Sequence, residues 1–278
     1  MSIITFVSED LKETGQTISI AAIATAMAIE HNYKILLFST DYADRTLENC
    51  FWNPNKRKSI FAKQNVLDIS NGIEGLVRAL SSNKLSGDII KSYTKPVLSE
   101  RLDVLEAPKT PNYAQYLNMA KNFSQIAEIA NETYDMVLVD LSGKIAKEDR
   151  ANMLNISDIV VVNLLQSMSS INNFMKLKNE VGFYRKSSVL LMLGKYNPNS
   201  KYSNKNVARY LKEKQIPMIV PYNILFADEC GEGRIIDYFL KVQKIKGYDN
   251  KDTYFINQLR GTTQYLQYKI QEKLNGTI

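Results

Sequence analysis

The chain has 278 residues, 45% hydrophobic and 23% charged, and its 35 lysines and arginines outnumber its 29 acidic residues to give a net charge of +6. These are ordinary globular proportions, which exclude disordered, collagen-like and membrane-embedded classes. The longest apolar stretch, Ile18–Ile29, falls short of the roughly 20 residues a bilayer crossing needs, and the start Met1-Ser2-Ile3-Ile4-Thr5-Phe6-Val7 lacks the basic segment of a signal peptide, so the expected location is cytoplasmic.

The first predicted element is a strand over Ile3–Val7, followed by the polar loop Ser8-Glu9-Asp10-Leu11-Lys12-Glu13-Thr14-Gly15-Gln16-Thr17. A helix over Thr17–Glu30 comes next, apolar nearly all round through Ile18, Ile20, Ala22, Ile23, Ala26, Met27 and Ile29, and a helix of that kind is buried. His31 closes it as a polar residue favoured by the helix dipole, and as the only histidine it rules out histidine triads and His-rich metal sites. A strand over Lys34–Thr40 leads into a long connection, Asp44–Gln64, which carries Lys56-Arg57-Lys58. Helix Ile73–Leu80, a second long connection at Leu85–Arg101 with Tyr93-Thr94-Lys95-Pro96, and strand Asp103–Leu105 follow. Connections this long in a compact fold are commonly binding or switch segments.

Beyond them lie helix Tyr113–Asn131, strands Met136–Asp140 and Ile159–Asn163, helix Ser169–Val181, strand Val189–Leu193, helix Asn204–Lys214 and strand Met218–Val220. The last helix, Thr253–Lys273, sets Phe255, Leu259, Thr262, Leu266 and Ile270 on one face and reads as core packing rather than a membrane tail. The strands are continuously apolar, the mark of a parallel sheet covered on both faces. The expected architecture is therefore α/β, a doubly wound, mostly parallel sheet flanked by helices, in one domain over 1–278. Cys50 and Cys230 lie far apart without CxxC spacing, so we expect two free thiols and no zinc site.

A strand, a short polar loop and a buried helix form the layout in which backbone N–H groups at a helix N-terminus cradle phosphate. Against the pattern GxxxxGK[ST], Gly15 and Thr17 fall in register and Gln16 stands where the lysine belongs. An amide there donates a hydrogen bond but neutralises no charge, and Glu13 repels a polyanion; Lys12 offsets this only if it folds inward. The alternative reading of Lys12 and Glu13 is a solvated pair.

Taken in order, these segments resemble the ParA/MinD family of P-loop ATPases, whose deviant Walker A loop reads KGGxGK[ST]. Leu11 replaces the family's signature lysine. Lys34-Ile35-Leu36-Leu37-Phe38-Ser39-Thr40-Asp41 resembles the strand ending in "DxD", with Ser39 for the first Asp and Asp41 kept. Tyr134-Asp135-Met136-Val137-Leu138-Val139-Asp140-Leu141-Ser142-Gly143 is similar to "YDxhhhDxxxG". Ser157–Asn163 resembles "ADxhhhV", and Ile216-Pro217-Met218-Ile219-Val220-Pro221-Tyr222-Asn223 resembles "IPhhGhIPYD". In Leu191-Met192-Leu193-Gly194-Lys195 the family's adenine-reading asparagine is replaced by Gly194.

The resemblance implies ATP with Mg2+ as ligand, held by Lys12, Thr14, Gly15, Gln16, Thr17, Asp140 and Gly143, with Thr17 and Asp140 on the metal and Asp41 orienting the attacking water. Changes at Leu11, Gln16, Ser39 and Gly194 point instead to a degenerate site and a pseudo-ATPase. The kept residues also have an architectural reading: Gly15 and Gly143 permit tight turns, Thr17 starts a helix and Asp140 hydrogen-bonds the loop.

From Lys176 to Lys214 ten basic residues face only Glu180 and Glu213, while the rest of the chain carries 25 basic and 27 acidic residues. Such a stretch either contacts DNA or an anionic membrane non-specifically or is a solvated face, and no helix-turn-helix or zinc finger adds to the nucleic-acid case. The functional expectation is a positioning or scaffold protein, most like the TadZ-type members that mark sites of pilus or secretion machinery. It recruits protein partners of a polar or membrane-bound assembly, with a homodimer as the implied form. The alternative is an active ParA-like ATPase for DNA partition or septum placement.

Overall fold

The computed structural model describes residues 1–10, 14–42, 44–53, 71–81, 88–242 and 251–276. Leu11, Lys12, Glu13 and the Lys56-Arg57-Lys58 run lie outside the described residues.

Eight strands form one sheet: β1 (Ser2–Val7), β2 (Ile35–Ser39), β3 (Lys95–Leu98), β4 (Leu102–Leu105), β5 (Met136–Asp140), β6 (Ile159–Leu164), β7 (Val189–Tyr196) and β8 (Met218–Pro221). Their order is β3-β4-β2-β5-β1-β6-β7-β8, parallel throughout except for the β3–β4 hairpin. The seven strands read from sequence are all present. The eighth, β3, occupies part of the connection expected as a loop at Leu85–Arg101. It is a half-buried edge strand of four residues containing Pro96, a residue tolerated only at sheet edges.

The helices among the described residues are α1 (Gln16–Glu30), α2 (Thr46–Phe51), α3 (Gly72–Ser81), α4 (Asp88–Lys91), α5 (Tyr113–Ala120), α6 (Phe123–Asn131), α7 (Lys147–Ile156), α8 (Met168–Glu180), α9 (Asn204–Leu211), α10 (Ile224–Gly231), α11 (Ile235–Val242) and α12 (Lys251–Leu274). The helix expected over Tyr113–Asn131 is two helices, and α2 lies within the connection expected at Asp44–Gln64.

The core has two halves, one on each face of the sheet. Alternation along β1 sends Ile4 and Phe6 to one side and Ile3 and Val7 to the other. On the first face α1 is packed all round, with every residue from Ser19 to Ala28 buried, and α12 lies against it through Phe255, Leu259 and Leu266. The second face is covered by α3 and α5–α9, through side chains such as Tyr116, Phe123, Ile126, Phe174 and Leu211. Both faces of β1 and β5 are thus sealed, which explains their unbroken apolar sequences.

Cys50 on α2 and Cys230 on α10 are 1% and 3% exposed, and both are free. Although distant in sequence, they lie on helices that pack together: the neighbouring Cys50 thiol, then burial, pushes the Cys230 thiol far above its ordinary range.

Candidate functional site

The register of the sheet assembles the site. Phe6, Asp140 and Ser39 stand in one row across β1, β5 and β2, at the carboxyl ends of the strands. The loop after β1 leaves from this row, where the chain's winding reverses direction between β5 and β6. In open α/β sheets ligands bind at that place. A cleft of about 460 Å³ lies there, lined among others by Asp10, Thr14, Gly15, Gln16, Thr17, Ser39, Asp41, Asp140, Gly143, Lys144 and Lys195.

The described parts of the loop are held from outside the cleft. Glu9 accepts hydrogen bonds from the Arg150 guanidinium and, at 2.6 Å, from the Tyr184 hydroxyl, while Ser170 donates to Asp10. Gly15 turns the chain into α1 with φ 75°, a left-handed conformation that glycine adopts without strain. Helix α1 then begins after Gly15 with no side-chain cap and no acidic residue in its first turn, so among the described residues its first N–H groups have no capping side chain.

Gln16 turns its amide to the floor of the cleft. Its Nε2 donates to Asp140 Oδ1 at 2.6 Å, to the Phe6 carbonyl at 3.1 Å and to the Leu141 carbonyl at 3.3 Å, while its Oε1 is buried without a partner. The Thr17 hydroxyl donates to Asp140 Oδ2 at 2.8 Å. Thr17 therefore does not act as a helix cap, and the Asp140 carboxylate ties the loop to β5. Burial pushes the Asp140 carboxyl up to about 6, against the lowering effect of hydrogen bonds from Gln16, Thr17 and Ser39.

Asp41 sits at the rim. Its Oδ1 accepts from Lys144 Nζ at 3.1 Å and its Oδ2 from the Ser142 hydroxyl at 2.8 Å. Gly143, between those two partners, is exposed, has ordinary φ, and leaves about a full contact distance to the nearest atom, Arg150 Nη1 at 3.9 Å from an ideal Cβ. Nothing in this geometry requires glycine at 143, so the tight-turn reading does not hold there.

Gly194 is different. An ideal Cβ would lie 2.5 Å from the Thr14 carbonyl oxygen and 2.8 and 2.9 Å from the amide atoms of Asn163. Asn163 is fully buried and donates through Nδ2 to the Thr14 carbonyl at 3.1 Å and to Thr14 Oγ1 at 3.0 Å. The end of β7 therefore abuts the loop between β1 and α1, and an asparagine at 194 has no room. Neither this role of Asn163 nor the position of Lys195 on the cleft is visible in sequence, because each depends on two parallel strands ending in register.

A magnesium nucleotide can be tested against these residues. Thr17 Oγ1 and the Asp140 carboxylate are the hard oxygen donors Mg2+ prefers, and the orphaned Gln16 Oε1 beside them suits a water of its shell. Gly15, left-handed and without a side chain, puts no Cβ between the loop and the first turn of α1. The phosphate and metal end of the ligand thus fits, whereas position 194 offers no group to read a base. Of the sequence-predicted site residues, Thr14, Gly15, Gln16, Thr17, Asp41, Asp140 and Gly143 all come together on the cleft, and Lys12 lies outside the described residues.

No protein-family model and no curated protein matches the sequence. The fold is similar to that of a ParA family ATPase from Chlorobium tepidum TLS, with a TM-score of 0.68 at 16% identity over 97% of this chain and 98% of that one. It is similar to the septum site-determining protein MinD complexed with Mg-ADP from Pyrococcus horikoshii OT3, with a TM-score of 0.64 at 14% identity over 93% of each chain. A chain of the MinC:MinD cell division protein complex of Aquifex aeolicus matches with a TM-score of 0.61 at 17% identity over 96% of each. The eight-stranded, mostly parallel sheet flanked by helices is therefore the P-loop NTPase fold in its ParA/MinD form.

Proposed function

We propose that this chain is one ParA/MinD-like domain over 1–278 acting as a positioning or scaffold protein, with a degenerate nucleotide site that does not turn ATP over. The observation that carries this reading is the Gln16 side chain: at the lysine position, it is an uncharged amide spent on Asp140 and two backbone carbonyls. A phosphoryl-transfer site needs a cation there to draw charge toward the γ-phosphate. Asp41, the residue that would orient water, is engaged by Lys144 and Ser142. Among the cleft's described charges, Asp10, Asp41, Asp44 and Asp140 outnumber Lys144 and Lys195, which disfavours a bare polyanion.

When bound, Mg2+ supplies charge neutralisation for a phosphate chain; Thr17 and Asp140 are the residues to hold it, with Gly15 beneath the phosphates. Function then passes through protein contacts. The match to a chain of a MinC:MinD complex supports a protein partner; the form we propose is a homodimer, and the partner class we favour is a polar or membrane-bound assembly such as pilus or secretion machinery. No helix among the described residues is long and apolar enough to cross a membrane.

An active DNA-partition ATPase has less support, because part of the basic stretch is used internally. Lys178 pairs with Glu213, Arg185 donates to the Lys178 and Asn179 carbonyls, and Lys186 lies over Phe183. The test is phosphate release from the full chain with saturating Mg-ATP, alone and with duplex DNA. Release at the level of a no-protein control is expected; steady turnover above it in either condition sinks the scaffold reading.

A further inference from the structure

We propose that Lys195 is the phosphate-binding cation of this cleft, delivered from the end of β7 in place of the lysine that position 16 lacks. The inference rests on the reading of the cleft as a site for a magnesium-bound phosphate chain and names the residue that holds it. The ligand class is a diphosphate, free or as part of a nucleotide.

Three observations converge. Lys195 has φ 50°, a left-handed backbone that a lysine adopts only when its surroundings impose it. The β7–β8 pairing shifts register between Leu193 and Tyr196, a span that holds Lys195, and beside it Gly194 has no room for a side chain against the Thr14 carbonyl and the Asn163 amide. The backbone turn there leaves the Lys195 side chain lying on the phosphate loop. An ideal Cβ at Gly15 would be 2.7 Å from Lys195 Cγ, 3.3 Å from Cδ and 3.2 Å from Cε. Three consecutive carbons of the stem thus run along Gly15, and the ammonium group is one bond beyond the last of them.

Gly15 is therefore glycine for two reasons, its left-handed φ and the lysine laid across it. The stem is thus laid beside the start of α1, on the cleft, where Gly15 offers no side-chain cap and the helix dipole favours an anion. A P-loop lysine reaches the phosphates from the first turn of the helix itself; here the first-turn side chain is committed to the floor through Asp140, and the charge arrives from across the loop. The orphaned Gln16 Oε1 next to Asp140 completes the floor as an acceptor for hydrated magnesium.

The test is calorimetric titration of the full chain with pyrophosphate, and separately with ADP, at low salt with Mg2+ present. The variants are Lys195→Met, which keeps the stem over Gly15 and removes the charge, and Lys195→Arg, which keeps the charge; thermal melts establish that both fold. The wild type is expected to bind both probes, Lys195→Met to lose about 10–100-fold in affinity as a charge-assisted hydrogen bond is removed, and Lys195→Arg to stay within about threefold of wild type. No binding by the wild type at millimolar probe overturns the proposal. So does a Lys195→Met variant that binds equally well or tighter, because the side chain is then a plug rather than a ligand. ATP turnover is a separate readout: its appearance refutes the scaffold reading and leaves the role of Lys195 standing, whereas an unaltered Lys195→Met affinity refutes the lysine alone.

Discussion

Gly194→Ala adds a single carbon at the contact between β7 and the phosphate loop, and the structure sets its effect. The new Cβ meets the Thr14 carbonyl oxygen at 2.5 Å and the Asn163 amide at 2.8–2.9 Å, all in a region without exposed surface to relax into. Thr14 O is backbone, so the loop, the strand or Asn163 must move. Overpacking of this kind costs about 1–3 kcal/mol. If Asn163 is what yields, its hydrogen bonds to Thr14 at 3.0 and 3.1 Å weaken as well, at about 1 kcal/mol each. A total of about 2–4 kcal/mol in a chain of this size lowers the midpoint of a thermal melt by roughly 3–7 °C. Circular dichroism melts of wild type, Gly194→Ala, Asn163→Ala and the double variant check this. Asn163→Ala relieves the 2.8–2.9 Å contacts but not the 2.5 Å contact with the Thr14 carbonyl, so the double variant is expected to recover only part of the Gly194→Ala loss. A Gly194→Ala melt within a degree of wild type refutes the claim that this glycine is imposed by the loop behind it, and full recovery in the double variant assigns the constraint to Asn163 instead of the loop.

Two further outcomes follow from buried ionisable groups. Glu106 is 1% exposed; burial pushes its carboxyl up, but hydrogen bonds and ion pairs with Lys109 and Lys95, both at 2.9 Å, outweigh it and hold the group at about 2, below its ordinary 4.5. A depressed carboxylate stabilises the fold above its unfolded value and loses that contribution as pH falls from 4.5 toward 2, so urea unfolding should find Glu106→Gln less stable than wild type by about 3 kcal/mol at pH 7, with most of the gap closed by pH 3; a gap that is independent of pH counts against it. The mutual contact and burial of Cys50 and Cys230 predict that neither thiol reacts with a chromogenic disulfide reagent in the native protein, while two react per chain in guanidinium. A native thiol modified within minutes contradicts their placement.

The fold was legible because its evidence is local and ordered. Unbroken apolar strands such as Met136–Asp140 state that both faces are covered, and the all-round apolar α1 states that it is buried. Gly15, Thr17 and Asp140 could be assigned to one place because each follows or ends a strand, and parallel strands bring their ends together. What could not be read is what depends on two distant segments meeting side by side. The strand β3 is four half-buried residues with a proline, stabilised by its hairpin partner rather than by its own pattern. The pairing of Cys50 with Cys230 depends on α2 packing on α10. Lys195 looks like the polar end of a strand until its stem is seen lying along Gly15.

These contacts also explain why the departures from the ATPase pattern occur together. Gln16 in place of lysine leaves Asp140 as an acceptor for an amide rather than a neighbour of an ammonium group, and the loop is then tied down by Gln16 and Thr17 to the same carboxylate. With the loop drawn to β5, Thr14 is pinned on its other side by Asn163, and the room that a base-reading side chain at 194 requires is taken by the loop's own backbone. Restoring lysine at 16 does not open position 194, and an asparagine at 194 clashes before it can reach a base. On the reading we propose, a nucleotide site of the family's ordinary form would need more than a lysine at 16, whereas a phosphate chain contacted from β7 needs no change at 16 or 194.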